Sequence, residues 1–174
     1  MKFSLNLQAL DDKKKEDLIT AIYVGIVFIL LAVVYYANLP NNLLSRLVDF
    51  FGSFTLAEIP GGGFSLPAPI NPHTDGFVML YSAAFEFALG LGILEIAILF
   101  FRIYLQSPLA RKAETIQNIV FWLGVSFLII SYLVRVTIME EWFMFWAAII
   151  LLGGVSLLVR AFVIIAQRFV KRWF

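Results

Sequence analysis

Apolar residues in this chain run in four blocks, at 18–39, 75–105, 108–136 and 138–167, and 14 of the 25 charged residues lie outside them, 11 of these in the two tails. Each block has about twenty residues or more, the length an α-helix needs to cross a ~30 Å hydrocarbon layer at ~1.5 Å per residue. Pro108 opens the third block and no proline falls inside any of them. Lipid cannot hydrogen-bond a peptide group, so a spanning segment must satisfy its own backbone, and a helix does so. The pattern predicts an all-α integral membrane protein, a single domain of four transmembrane helices in an up-down bundle. Residues 1–17 and 168–174 are expected as tails. The first block starts late, is too long for a secretory apolar core and lacks a small-residue cleavage site, so it is expected to stay as a span.

The connection 40–74 breaks the pattern. Over 40–54, Leu43, Leu44, Leu47, Val48, Phe51 and Phe54 share one helical face, with Asn42, Arg46 and Asp49 towards the other. This periodicity predicts a short amphipathic helix lying on the membrane surface or capping the bundle. Residues 59–73, IPGGGFSLPAPINPH, hold four prolines and a glycine run, so irregular, extended backbone is expected there. The glycine run lacks the lysine and hydroxyl residue of a phosphate loop. Such an apolar loop should pack on its own bundle or on a partner. Thr74 and Asp75 suit the start of the second span, and Thr137 with Glu140 resembles a capping box opening the fourth.

Charge sets the orientation. Lys2, Lys13, Lys14 and Lys15 precede the first span, Arg102, Arg111 and Lys112 flank the second connection, and Arg168, Lys171 and Arg172 close the chain. The other side has Arg46 in the long connection and Arg135 beside the third. Basic residues stay on the cytoplasmic side, so both termini are expected there, with loop 40–74 outside a multi-pass cell-membrane protein.

Composition narrows the chemistry. The chain is 61% hydrophobic and 14% charged, where soluble domains carry about a quarter charged residues. A formal charge of +1, with no basic stripe, argues against a nucleic-acid partner. No cysteine is present, which excludes disulfides, thiol relays and iron–sulfur ligation. The single histidine, His73, is expected as an exposed loop residue; it cannot supply a bis-histidine haem or an intramembrane hydrolytic triad. No catalytic residue, metal site or cofactor is expected.

Two carboxylates remain, Glu86 and Glu95, both inside the second span. A charge in hydrocarbon costs a few kcal/mol, so each needs a partner, water or a proton. Glu95 lies about 10 Å from the cytoplasmic end, and Arg160 of the fourth span lies about 9 Å from the same side. Matching depth predicts a structural Glu95–Arg160 ion pair. Trp146, Gly153, Arg160 and Gln167 recur every seven residues and suggest a helix–helix seam around it. Glu86 should lie about 15 Å down, near the midplane. It is left as a protonated group, a proton- or cation-binding carboxylate, or one paired with another subunit. Nine residues separate the two glutamates, about 900° of helix, so they occupy opposite faces and one groove cannot hold both. A second span covered on two sides favours a non-catalytic assembly subunit of a homo- or hetero-oligomeric membrane complex, with lipid and other membrane subunits as partners. The alternative is a small proton- or cation-coupled transporter or channel using Glu86.

Overall fold

The structure, a computed structural model, describes residues 12–39, 42–59, 62–72, 74–135 and 139–173. Lys2, His73 and Thr137, to which roles were assigned above, lie outside the described residues. Among the described residues are five α-helices and a hairpin: α1 (Asp12–Ala37), α2 (Leu43–Gly52), β1 (Phe54–Glu58), β2 (Ser65–Pro69), α3 (Asp75–Tyr104), α4 (Leu109–Leu128) and α5 (Met139–Trp173). Between α4 and α5 the helix widens into a π segment, Ile129–Val134. Four helical stretches, Lys13–Ala37, Asp75–Tyr104, Leu109–Val134 and Met139–Ala166, are long and apolar enough to cross a membrane.

The long helices stand in a row. α1 packs on α3, α3 on α4, and α4 on α5, while the π segment touches both α3 and α5. Each contact seats a leucine on a glycine: Leu30 of α1 on Gly90, Leu123 of α4 on Gly92 of α3, and Leu152 of α5 on Gly124. Small residues let helix axes approach closely where lipid offers no hydrophobic drive to associate. The expected seam along α5 is different. Gly153 and Gly154 face open space, and α5 meets its neighbours through Trp142, Phe145, Leu152 and Ser156.

The α3–α4 turn explains how those two helices become antiparallel neighbours. Gln106 has φ 56°, and the bonds Gln106 N–H to Ile103 O and Ser107 N–H to Arg102 O form a Schellman cap. Pro108 then opens α4. At the other end of the row, α1 begins at Asp12, so the charged turn 12–17 is helix where a solvated tail was expected. That turn is tied to α3 by Arg102, whose Nη2 holds the Glu16 carboxylate at 3.2 Å.

The expectation of irregular backbone after residue 59 is corrected. β1 and β2 pair antiparallel, Phe54 opposite Pro69 and Glu58 opposite Ser65. The flanking bonds, Ile70 N–H to Ser53 O and Ile59 N–H to Phe64 O, fix which residues face the ladder. Residues 53, 55, 57 and 59 turn their backbone groups towards β2, and on β2 the outward positions are Ser65, Pro67 and Pro69. Both prolines therefore sit where no ladder N–H is needed, and they close that edge. Pro67 O instead accepts from Trp142 Nε1 at 3.4 Å, tying the hairpin to α5. The opposite edge, formed by Phe54, Leu56 and Glu58 of β1, has no backbone partner among the described residues.

Candidate functional site

Three helical faces converge beside the α3–α4 turn. α1 contributes Ile19, Thr20 and Tyr23, α3 contributes Glu95, Ile98 and Arg102, and α4 contributes Arg111, Glu114 and Asn118. In α3 and α4 these positions are three or four residues apart, hence on one face, and in α1 Tyr23 lies three and four residues after the adjacent Thr20 and Ile19. They enclose a polar cavity of about 250 Å³. Glu95 is ten residues before Leu105 and Asn118 ten after Pro108, so the tight turn sets them at equal height. Asn118 Nδ2 donates to Glu95 Oε1 at 3.0 Å, and Tyr23 lines the cavity beside this carboxyl. Glu95 is 3% exposed.

The floor of the cavity is ionic. Arg102 pairs with Glu16, donates to Arg111 O at 2.8 Å, and contacts the Thr115 hydroxyl. Arg111 pairs with Glu114 at 3.1 Å, on an exposed flank. Thr115, fully buried, donates back to Arg111 O at 2.9 Å. Arg102 Nε and Glu16 Oε1 are buried without a partner among the described residues.

The Glu95–Arg160 ion pair does not form. Arg160 Nη1 reaches Gln117 Oε1 at 3.4 Å, while Glu95 takes Asn118. The reason is that α4 stands between α3 and α5. Two adjacent amides on α4 point about 100° apart; Asn118 serves the acid on one neighbour and Gln117 the base on the other. Depth matching brought the right heights together on helices that do not touch at that level. The polar pair Gln117–Asn118 was the visible signal, since amides inside a span need partners.

Glu86 lies elsewhere. It is exposed, on a stripe of α3 with Met79, Ile93 and Phe100, spaced by seven residues. Asn38 Nδ2 donates to Glu86 Oε2 at 3.3 Å and to Val34 O at 2.9 Å. Asn38 follows the last residue of α1, so Glu86 is level with the end of that helix rather than at the midpoint of the row. The two glutamates do take different surroundings, Glu95 inward and Glu86 outward.

Two apolar hollows lie at the hairpin end. One, about 530 Å³, is bounded by Phe28, Leu31, Leu44, Leu47, Leu80 and Phe87. The other, about 740 Å³, runs between the hairpin and α5, with Phe54, Phe64, Leu66, Trp142, Trp146 and Ile150 on its walls. Among the described residues no three His, Cys, Asp or Glu side chains cluster as metal ligands. Comparison with protein-family models, curated proteins and solved structures finds no match to this chain.

Proposed function

We propose that this chain is a non-catalytic membrane subunit that acts by association, with both termini cytoplasmic and the α2–hairpin layer outside. The observation that carries this reading is Glu86. It is an exposed carboxylate with Met79 seven residues to one side and Ile93 to the other, 40% and 59% exposed. Among the described residues only the Asn38 amide hydrogen-bonds it. A carboxylate on a lipid-facing helix flank is costly until another polar group covers it. The open β1 edge, with Leu56 75% exposed, adds a second unsatisfied surface. Less supports a carrier centred on Glu86, because the polar cavity adjoins Glu95, about 13 Å along the helix and on another face.

The protein extracted in mild detergent should show a native mass of at least two 19.7 kDa chains, and Glu86→Ala should shift it towards one while thermal unfolding stays cooperative. A wild-type monomer would sink the proposal. Orientation has its own check. The chain has no cysteine, so Ser65→Cys, an exposed hairpin position, gives a single thiol. On intact cells it should react with a membrane-impermeant maleimide; labelling only after lysis would reverse the orientation.

A further inference from the structure

We propose that the cavity between α1, α3 and α4 is a binding site for one small monovalent cation, with Glu95 as its counter-charge. Five ionisable side chains line or brace it: Glu16, Glu95, Glu114, Arg102 and Arg111. Arg102 is matched by Glu16 and Arg111 by Glu114, each through an ion pair. Glu95 has no ion-pair partner of its own among the described residues: the Asn118 amide donates to it, Tyr23 lines the cavity beside it, and the Arg102 guanidinium in electrostatic range is already paired with Glu16. One carboxylate is thus left over, 3% exposed and beside open space.

The donor set fits a hard cation. Glu95 presents its carboxylate. Asn118 spends its Nδ2 on Glu95 and keeps its carbonyl oxygen. Thr20 donates its proton to Glu16 O at 2.8 Å and keeps a lone pair, and the Tyr23 oxygen completes the set. All are oxygens, with no imidazole or thiolate, which suits an alkali ion or a protonated primary amine rather than a transition metal. At ~30 Å³ per water, 250 Å³ holds either with a few waters. The apolar wall of Ile19 and Ile98 excludes a bulky cation. This site does not depend on association through Glu86, which lies on another face of α3.

The test uses the full chain in detergent with an uncharged headgroup, following thermal unfolding by tryptophan fluorescence. Sodium, potassium and methylammonium chloride are each titrated against N-methyl-D-glucamine chloride at constant ionic strength. A saturable rise in midpoint is expected with at least one small cation. Response to sodium or potassium alone marks an alkali-ion site, and response to methylammonium alone marks an amine site. Glu95→Gln, which keeps the shape and a hydrogen-bonding oxygen, should abolish the rise, while Glu86→Gln keeps it. Should Glu95→Gln fail to fold, Tyr23→Phe removes one oxygen ligand and should raise the half-saturating concentration roughly tenfold. Equal midpoints in all four salts, or a response untouched by Glu95→Gln or Tyr23→Phe, would overturn the site.

Discussion

Phe50→Ala should release the α2–hairpin layer from the four long helices. Phe50 is the one buried residue of α2, and five rings surround it edge-on: Phe51, Phe54, Phe77, Tyr81 and Trp142, at centroid distances of 5.1 to 5.9 Å. These come from α2, β1, α3 and α5, so one side chain joins the layer to two helices. Deleting a buried phenyl costs about 3–5 kcal/mol from lost transfer and the cavity left behind. If lipid replaces water around the layer the transfer part shrinks, but the lost ring contacts remain, each pair worth about 0.5–1.5 kcal/mol. A local loss of ~3 kcal/mol raises the opened population more than a hundredfold. Arg46, in α2, is the one Lys or Arg between Lys15 and Arg102, so trypsin has a single site there. Cleavage at Arg46 should be slow in the wild type, at least tenfold faster in Phe50→Ala, and intermediate in Phe50→Leu, a volume-conserving swap. Equal rates in all three would mean that the ring cluster does not hold the layer.

Phe50 also shows where the periodicity of the chain stops being informative. The apolar stripe of α2 is legible, but it is wide, and the pattern does not say which edge is buried. Leu44, Val48 and Phe51 are 62%, 69% and 64% exposed, and the bundle is met by Phe50, with Phe54 of β1 packed beside it, instead. In a membrane protein both outcomes are apolar, because lipid accepts what water would reject. The four long helices were legible for the opposite reason: block length and proline placement are properties of each segment alone. The hairpin was not. Pro67 and Pro69 argue against a strand until the register is known, and register depends on which residues of β1 lie opposite. The π segment IISYLV likewise carries no proline or glycine to announce it; its buried Ile129 and Leu133 pack among residues of α3 and α5 far away in the chain.

The site was half legible. Glu95 stood out as a buried charge, and its height followed from counting residues. Its partner did not, because height along a helix leaves the order of the helices open, and that order, α1–α3–α4–α5, is set by which glycines meet which leucines. Tyr23 and Thr20, ordinary residues of an apolar span, acquire a role only when α1 lies against α3. Arg102 was read as a topology marker; its bonds to Glu16, Thr115 and Arg111 make it the brace under the cavity.

Gly92→Ala should therefore destabilise the protein, although alanine favours a helix over glycine by about 1 kcal/mol. A Cβ at position 92 would come within 2.8 Å of Leu123 Cγ and 3.3 Å of Leu123 N, and nearer still to Cδ2. The side-chain end can rotate, but the backbone nitrogen belongs to α4 itself, so α4 must move out. Overpacking of this kind costs about 1–3 kcal/mol, enough to reverse the sign of the propensity gain. Gly92→Val should cost more. Gly92 is one turn from Glu95, so the same displacement stretches the 3.0 Å bond to Asn118. Gly153 supplies the contrast. It recurs with Trp146 and Arg160 in the sequence, yet a Cβ there meets nothing within 4 Å, so Gly153→Ala should be neutral or stabilising by up to about 1 kcal/mol. Trimming Leu123 to alanine in the Gly92→Ala background should recover part of the loss, a positive coupling that distant sites would lack. Thermal unfolding of the four variants in one detergent distinguishes these outcomes. If Gly92→Ala gains stability as Gly153→Ala does, α3 and α4 are not in contact at Leu123, and the alignment that sets Asn118 opposite Glu95 goes with it.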